Sequence, residues 1–115
     1  MKKILASFIF LFSASILNAA DLVCMGNSNT NQLIQVAVNI DSRMGKVTVE
    51  DNKYDLAVSN DFMYVWQNEV EGQTYTNSLS RIDGQLNVIA ENVGEENQPV
   101  VRAILNCVDK KDLLF

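Results

Sequence analysis

From Leu22 onward, apolar and polar residues alternate in short runs, and no stretch sustains a helical period. A period of two sends successive side chains to opposite faces, so each run is a ribbon with one face to bury. Ile34, Val36, Val38 and Ile40 alternate with Gln35, Ala37 and Asn39. Residues 41–45 turn the chain, and Val47 and Val49 then alternate with Lys46, Thr48 and Glu50, completing a hairpin. Tyr54, Leu56 and Val58 share a face in the next run, and Asn60 with Asp61 ends it. Residues 62–67 form a strongly β-prone strand, 68–72 a turn, and 75–81 another strand. Asp83-Gly84 is a hairpin signal leading into Leu86 and Val88. Residues 91–98 form an acidic loop, and Pro99 stands at the entrance of a last strand over 100–108, where its missing donor does least harm. With a short first strand around Val23, the count is about eight strands separated by close turns. The sequence predicts an all-β domain, a small antiparallel meander closed into a barrel or folded into a sandwich.

Two cysteines allow one intramolecular pairing, Cys24 with Cys107. A bridge there would join the first and last strands, which favours closure. It closes a loop of about 84 residues, worth about 4–5 kcal/mol in the chain-entropy model. Redox pairs use closely spaced cysteines, so this spacing reads as structural.

Such a bridge needs an oxidising compartment, and the amino terminus predicts one. Lys2 and Lys3 precede an apolar stretch over 4–17 and the small pair Ala19 and Ala20, the order of a secretory signal peptide. The stretch is about 14 residues, short of the roughly 20 that cross a bilayer as a helix. The expected organisation is a signal peptide over 1–20 and one small β domain over 21–115, exported to a periplasm or secreted. Cys24 follows Asp21, Leu22 and the bulky Val23, which disfavours a lipid anchor.

Residues 1–20 hold two of the nine bases and none of the fourteen acids, so residues 21–115 carry a formal charge of −7. The seven remaining bases are scattered, which argues against nucleic acid and anionic membrane surfaces as partners. A membrane barrel would need strands of about 9–11 residues with a continuous lipid-facing band, and these runs are mostly shorter and more polar. Stable membrane insertion is therefore not expected. The apolar tail residues Leu113, Leu114 and Phe115 are expected to pack across an open end of the domain.

The chain contains no His, which removes the commonest general base and metal ligand. Asp51, Asn52 and Asp55 are interrupted by Lys53 and lack the Gly of a calcium loop. Glu91, Glu95 and Glu96 have no fixed separation of the kind that glycoside hydrolysis needs. No Ser stands in a nucleophile elbow, and no phosphate-binding Gly-rich loop is present. No catalytic residue, metal or cofactor is expected. Residues 40–49 and 79–88 echo each other, with Gly45 matching Gly84 and Val49 matching Val88. Two hairpins with the same turn requirement explain that echo more simply than a duplication.

Two strands carry apolar residues on both faces. Phe62, Tyr64 and Trp66 point one way and Met63 and Val65 the other. In the last strand Val101, Ala103, Leu105 and Cys107 oppose Val100 and Ile104, which flank Arg102. One face of each must build the core, and the second offers a grip for a partner. The leading expectation is a soluble exported non-catalytic binding or accessory module, in the manner of small exported inhibitors. It would act through Met63, Val65, Val100, Arg102 and Ile104 on an unidentified protein partner. The alternative is a small barrel carrier of an apolar ligand, with Tyr64, Trp66 and Tyr75 at the ligand.

Overall fold

The computed structural model describes residues 19–94 and 96–112. The predicted signal segment up to residue 18, Glu95 and the apolar tail over 113–115 lie outside the described residues. Eight antiparallel strands follow one another around a closed barrel. They are β1 (Ala19–Ser28), β2 (Leu33–Asp41), β3 (Lys46–Val49), β4 (Asn52–Ser59), β5 (Met63–Val70), β6 (Gln73–Ser80), β7 (Gln85–Val93) and β8 (Gln98–Asp109). Closure, which the sequence left open against a sandwich, comes from β1 pairing with β8 over Leu22–Ser28 and Ala103–Asp109. A 3₁₀ turn over Lys110–Asp112 follows β8. Among the described residues no helix is long and apolar enough to cross a membrane.

The expected bridge forms. Cys24 and Cys107 are direct partners in the β1–β8 register and are joined by a disulfide. The Cys107 N–H donates to the carbonyl of Gly84 (2.8 Å), on the β7 side. Cys24 and Cys107 are therefore a non-hydrogen-bonded pair, the closer of the two antiparallel pair types and the one that side chains bridge most directly.

Alternation separates two faces as the sequence predicts, and Val38, Ile40, Val47, Tyr64, Trp66, Leu79, Leu86 and Leu105 are buried inside, so the face of residues 62–67 that the sequence left open is the one with Tyr64 and Trp66 inward. Strand ends differ from the expectation. β5 continues through Asn68, Glu69 and Val70, which pair with Tyr75, Thr74 and Gln73, leaving only Glu71-Gly72 as a turn. Likewise Glu91 and Val93 belong to β7, so the expected acidic loop shrinks to residues 94–97. Ladder hydrogen bonds are made by backbone, so a hairpin runs on through polar residues wherever its rim is solvated.

The register shifts at three places, one of them between Ala90 and Val93 near the end of β7, and the other two move side chains across the barrel wall. In β4 the register shifts between Leu56 and Val58, and Val58 then pairs with Val65. Val58 is thereby turned outward, against the expectation that it shares a face with Tyr54 and Leu56. In β7–β8 the register shifts between Val88–Ala103 and Ile89–Val101. The unpaired Arg102 absorbs the slip, and the alternation on its amino-terminal side is reversed. Val101 is exposed where the simple period puts it with Ala103 and Leu105.

The echo between 40–49 and 79–88 resolves into a shared turn. Both segments contain a four-residue connection at the same end of the barrel, closing on Gly45 (φ 68°) and Gly84 (φ 76°). Asp41 Oδ1 accepts the Met44 N–H, and Ser80 Oγ accepts the Asp83 N–H from the equivalent place. The Gln85 N–H (3.0 Å), helped by Ser80, holds the Asp83 carboxyl below its ordinary pKa. That bond supports the turn at neutral pH, and acid removes it as the carboxylate is protonated.

Candidate ligand cavity

Burial falls along the inward residues of successive strands toward one end. On β2, Ile40 and Val38 are sealed, whereas Val36 and Ile34 are only half-buried. On β3, Val47 is sealed and Val49 half-buried. On β8, Leu105 and Ala103 are buried and Arg102 is half-buried. All these series open at the end that carries the β1–β2, β3–β4, β5–β6 and β7–β8 connections.

A cavity of about 410 Å³ occupies that end, within the usual range for small-molecule sites. The wall residues there are short: Val36, Val38, Val49, Val88 and Ala103 line it. An eight-stranded barrel has an interior just wide enough for side chains to fill or for one small ligand, and short side chains leave the second possibility. Trp66, 2% exposed, lies against the cavity from β5, with Tyr54 and Tyr75 from neighbouring strands. Polar groups interrupt the apolar wall. Asn77 Nδ2 donates to Asn68 Oδ1 (2.8 Å) and toward the Trp66 carbonyl (3.4 Å). Ser28, Thr30 and Gln32 rim the mouth, where Ser28 Oγ accepts the Thr30 and Gln32 N–H groups. Among the described residues Arg102 is the one charged residue in the lining.

The predicted ligand residues divide. Trp66 and Tyr75 line the cavity, whereas Tyr64 lines a smaller pocket at the opposite end, with the Arg81 guanidinium 4.8 Å above its ring and Cys107 nearby. Phe62, expected alongside Tyr64 and Trp66, lies in the turn before β5 and is exposed.

The five predicted partner residues do not form one face. Met63 and Val65 lie on the outside of β5 and Ile104 on the outside of β8. Across the wall, Val65 pairs with Ser78, Ser78 with Asn87, and Asn87 with Ile104. Three strand spacings put Val65 and Ile104 roughly 14 Å apart with two polar residues between them. The bulge sends Arg102 to the cavity and leaves Val100 half-buried, with exposed Val101 on the outside instead.

Sequence reasoning missed Tyr54, Asn68, Asn77 and the Ser28 rim. A usable signal was present. Asn68 continues the inward phase of Tyr64 and Trp66, Asn77 sits between Tyr75 and Leu79, and Ser28 follows Cys24 and Gly26 in phase. A polar residue in the inward phase marks an interior that is lined instead of filled. Among the described residues no three His, Cys, Asp or Glu side chains come together as metal ligands. The architecture defines the class as a small, closed, up-and-down antiparallel barrel with a cavity at one end and a smaller pocket at the other. No family model, curated protein or solved structure matches the chain.

Proposed function

We propose that this chain is an exported, non-catalytic binding protein that takes a small, mainly apolar ligand into the open end of its barrel. The observation that carries the reading is the 410 Å³ cavity, walled by short aliphatic residues and Trp66 and spotted with a few polar groups. That combination of apolar wall and sparse orienting groups is typical of ligand sites. Export is supported by the disulfide and by the signal-like order of residues 1–20. The outward residues Gln35, Asn39, Lys53, Asp55, Gln67 and Glu69 are polar and exposed, which supports a barrel bathed in water instead of lipid.

The test uses protein recovered from the exported fraction after expression of the full chain, where amino-terminal sequencing should read Asp21. Trp66 is the sole tryptophan, so its emission reports on the cavity directly. Titration with the smaller neutral fluorophore 1-naphthylamine should give saturable one-to-one binding. Val88 is half-buried and faces the cavity, so Val88→Phe puts its ring into open space, where strain is small. That variant should bind at least about tenfold more weakly, a loss of about 1.4 kcal/mol, with an unchanged circular dichroism spectrum. Equal binding by the two proteins would overturn the reading.

A second reading rests on the outside of β8 and β1, where Val101, Ile104, Val108 and Met25 are all 40–46% exposed. Scattered apolar residues are ordinary, but four on two adjacent strands support a protein-binding strip. Capture from an envelope extract should then lose its retained protein in Ile104→Glu, and identical capture by both proteins would remove this reading.

A further inference from the structure

The cavity reading leaves the chemistry of the ligand open, and Arg102 narrows it. Residues 21–115 carry fourteen acids against seven bases, yet among the described residues no Asp or Glu lines the cavity and the single charged side chain in its wall is Arg102. Among the described residues the Arg102 guanidinium makes no hydrogen bond and no ion pair. A half-buried cation against an apolar wall costs free energy that an anion would offset. Its placement is specific as well. The β8 bulge turns Arg102 inward beside Ala103, and the Asn29 N–H holds the Arg102 carbonyl at 2.7 Å, tying the β1–β2 loop to this point of the rim. Bulges re-aim side chains at functional positions. Below Arg102 the inward residues are Ala103 and Leu105, with Val38 and Leu86 closing the depth of the cavity.

We propose that the cavity binds an amphiphile with one carboxylate head and an unbranched apolar body, the head held by Arg102 at the mouth and the body lying toward Leu86 and Leu105. The inference rests on the cavity reading above and adds the charge and polarity of the ligand. A guanidinium presents parallel N–H groups that match a planar carboxylate in a bidentate pair. A polyphosphate would need several cations, and among the described residues the lining offers one. At about 30 Å³ per water-sized group the volume of about 410 Å³ accommodates about 14 heavy atoms, enough for the ten carbons and two oxygens of a ten-carbon acid.

Decanoate, decanol and decyltrimethylammonium are titrated against the native protein, Arg102→Met and Val88→Phe, with Trp66 emission as readout. The native protein should bind decanoate about tenfold to a hundredfold more tightly than decanol, the range for a charge-assisted bond in a partly screened site. It should bind the cationic amphiphile most weakly. Arg102→Met keeps the length and apolarity of the stem, so decanol binding should persist while the preference for decanoate disappears. Val88→Phe should weaken decanoate and decanol together. If decanol binds the native protein as well as decanoate, or if Arg102→Met weakens both equally, the head-group assignment is overturned and the cavity reading survives. If none of the three binds, the cavity reading falls with it.

Discussion

Replacing Cys24 and Cys107 together by Ala is expected to lower the unfolding free energy by about 4 kcal/mol and the melting temperature by about 20 °C. The bridge closes a sequence separation of 83 residues, so most of the conformational freedom it removes belongs to the unfolded chain. It also joins the one pair of neighbouring strands that no short turn connects. Every other neighbouring pair is linked through a hairpin, whereas β1 and β8 meet from opposite ends of the chain. Closure at this seam therefore carries the largest loop entropy in the fold. Urea unfolding of the native and double-Ala proteins measures the loss, and native protein with excess reductant should match the double variant. A loss below about 1 kcal/mol would mean that the β1–β8 ladder holds the seam unaided. A loss of that size would support the export proposed above, since a reducing compartment would leave the barrel without this contribution.

What the sequence makes legible here is periodicity. Ile34 to Ile40 read as one inward face, and they are one. Tyr64 and Trp66 stand one phase apart from Met63 and Val65, and the barrel separates them in the same way. The strand count and the cysteine pairing follow from local signals and are both found. A period-two reading fails wherever one residue is inserted, because a single slip exchanges the faces. Arg102 and Val58 are such cases. Nothing local in Val100-Val-Arg-Ala-Ile104 announces the bulge, because the slip is defined against β7 and not within β8. The cavity was still less accessible. Its volume is a difference between barrel circumference and summed side-chain size, and circumference exists only once β1 meets β8. Strand ends were misread for a simpler reason. Asn68 to Val70 look like turn residues by composition, yet their backbone pairs with β6 regardless of side chain.

Gly26→Ala is expected to cost about 3 kcal/mol or more, the upper end of the range for an overpacked interior, although it adds one methyl to a half-buried strand position. A Cβ at residue 26 would stand 2.2 Å from the Ile104 carbonyl oxygen and 2.8 Å from the Leu105 Cα. Both are backbone atoms of the opposing strand, so no rotamer change relieves the clash. β1 and β8 would have to move apart at the Gly26–Leu105 pair, two residues from the disulfided pair. Gly72→Ala is the matched control. Gly72 has a positive φ of 82° but nothing within 4 Å of a Cβ, so it should pay only the left-handed conformational cost of about 1–2 kcal/mol. Gly26 has no positive φ, so if Gly26→Ala loses no more stability in urea than Gly72→Ala, β1 and β8 move apart at little cost and their close approach does not set the seam. If Gly26→Ala loses more, the seam is set by two residues on one strand: a glycine that lets β1 come close and a cysteine that fixes it there. A seam set that way also positions the cavity, because Ser28, next in phase after Gly26, pairs with Ala103 beside Arg102. Gly26→Ala should therefore weaken decanoate binding to whatever protein remains folded, although residue 26 is not among the residues that line the cavity.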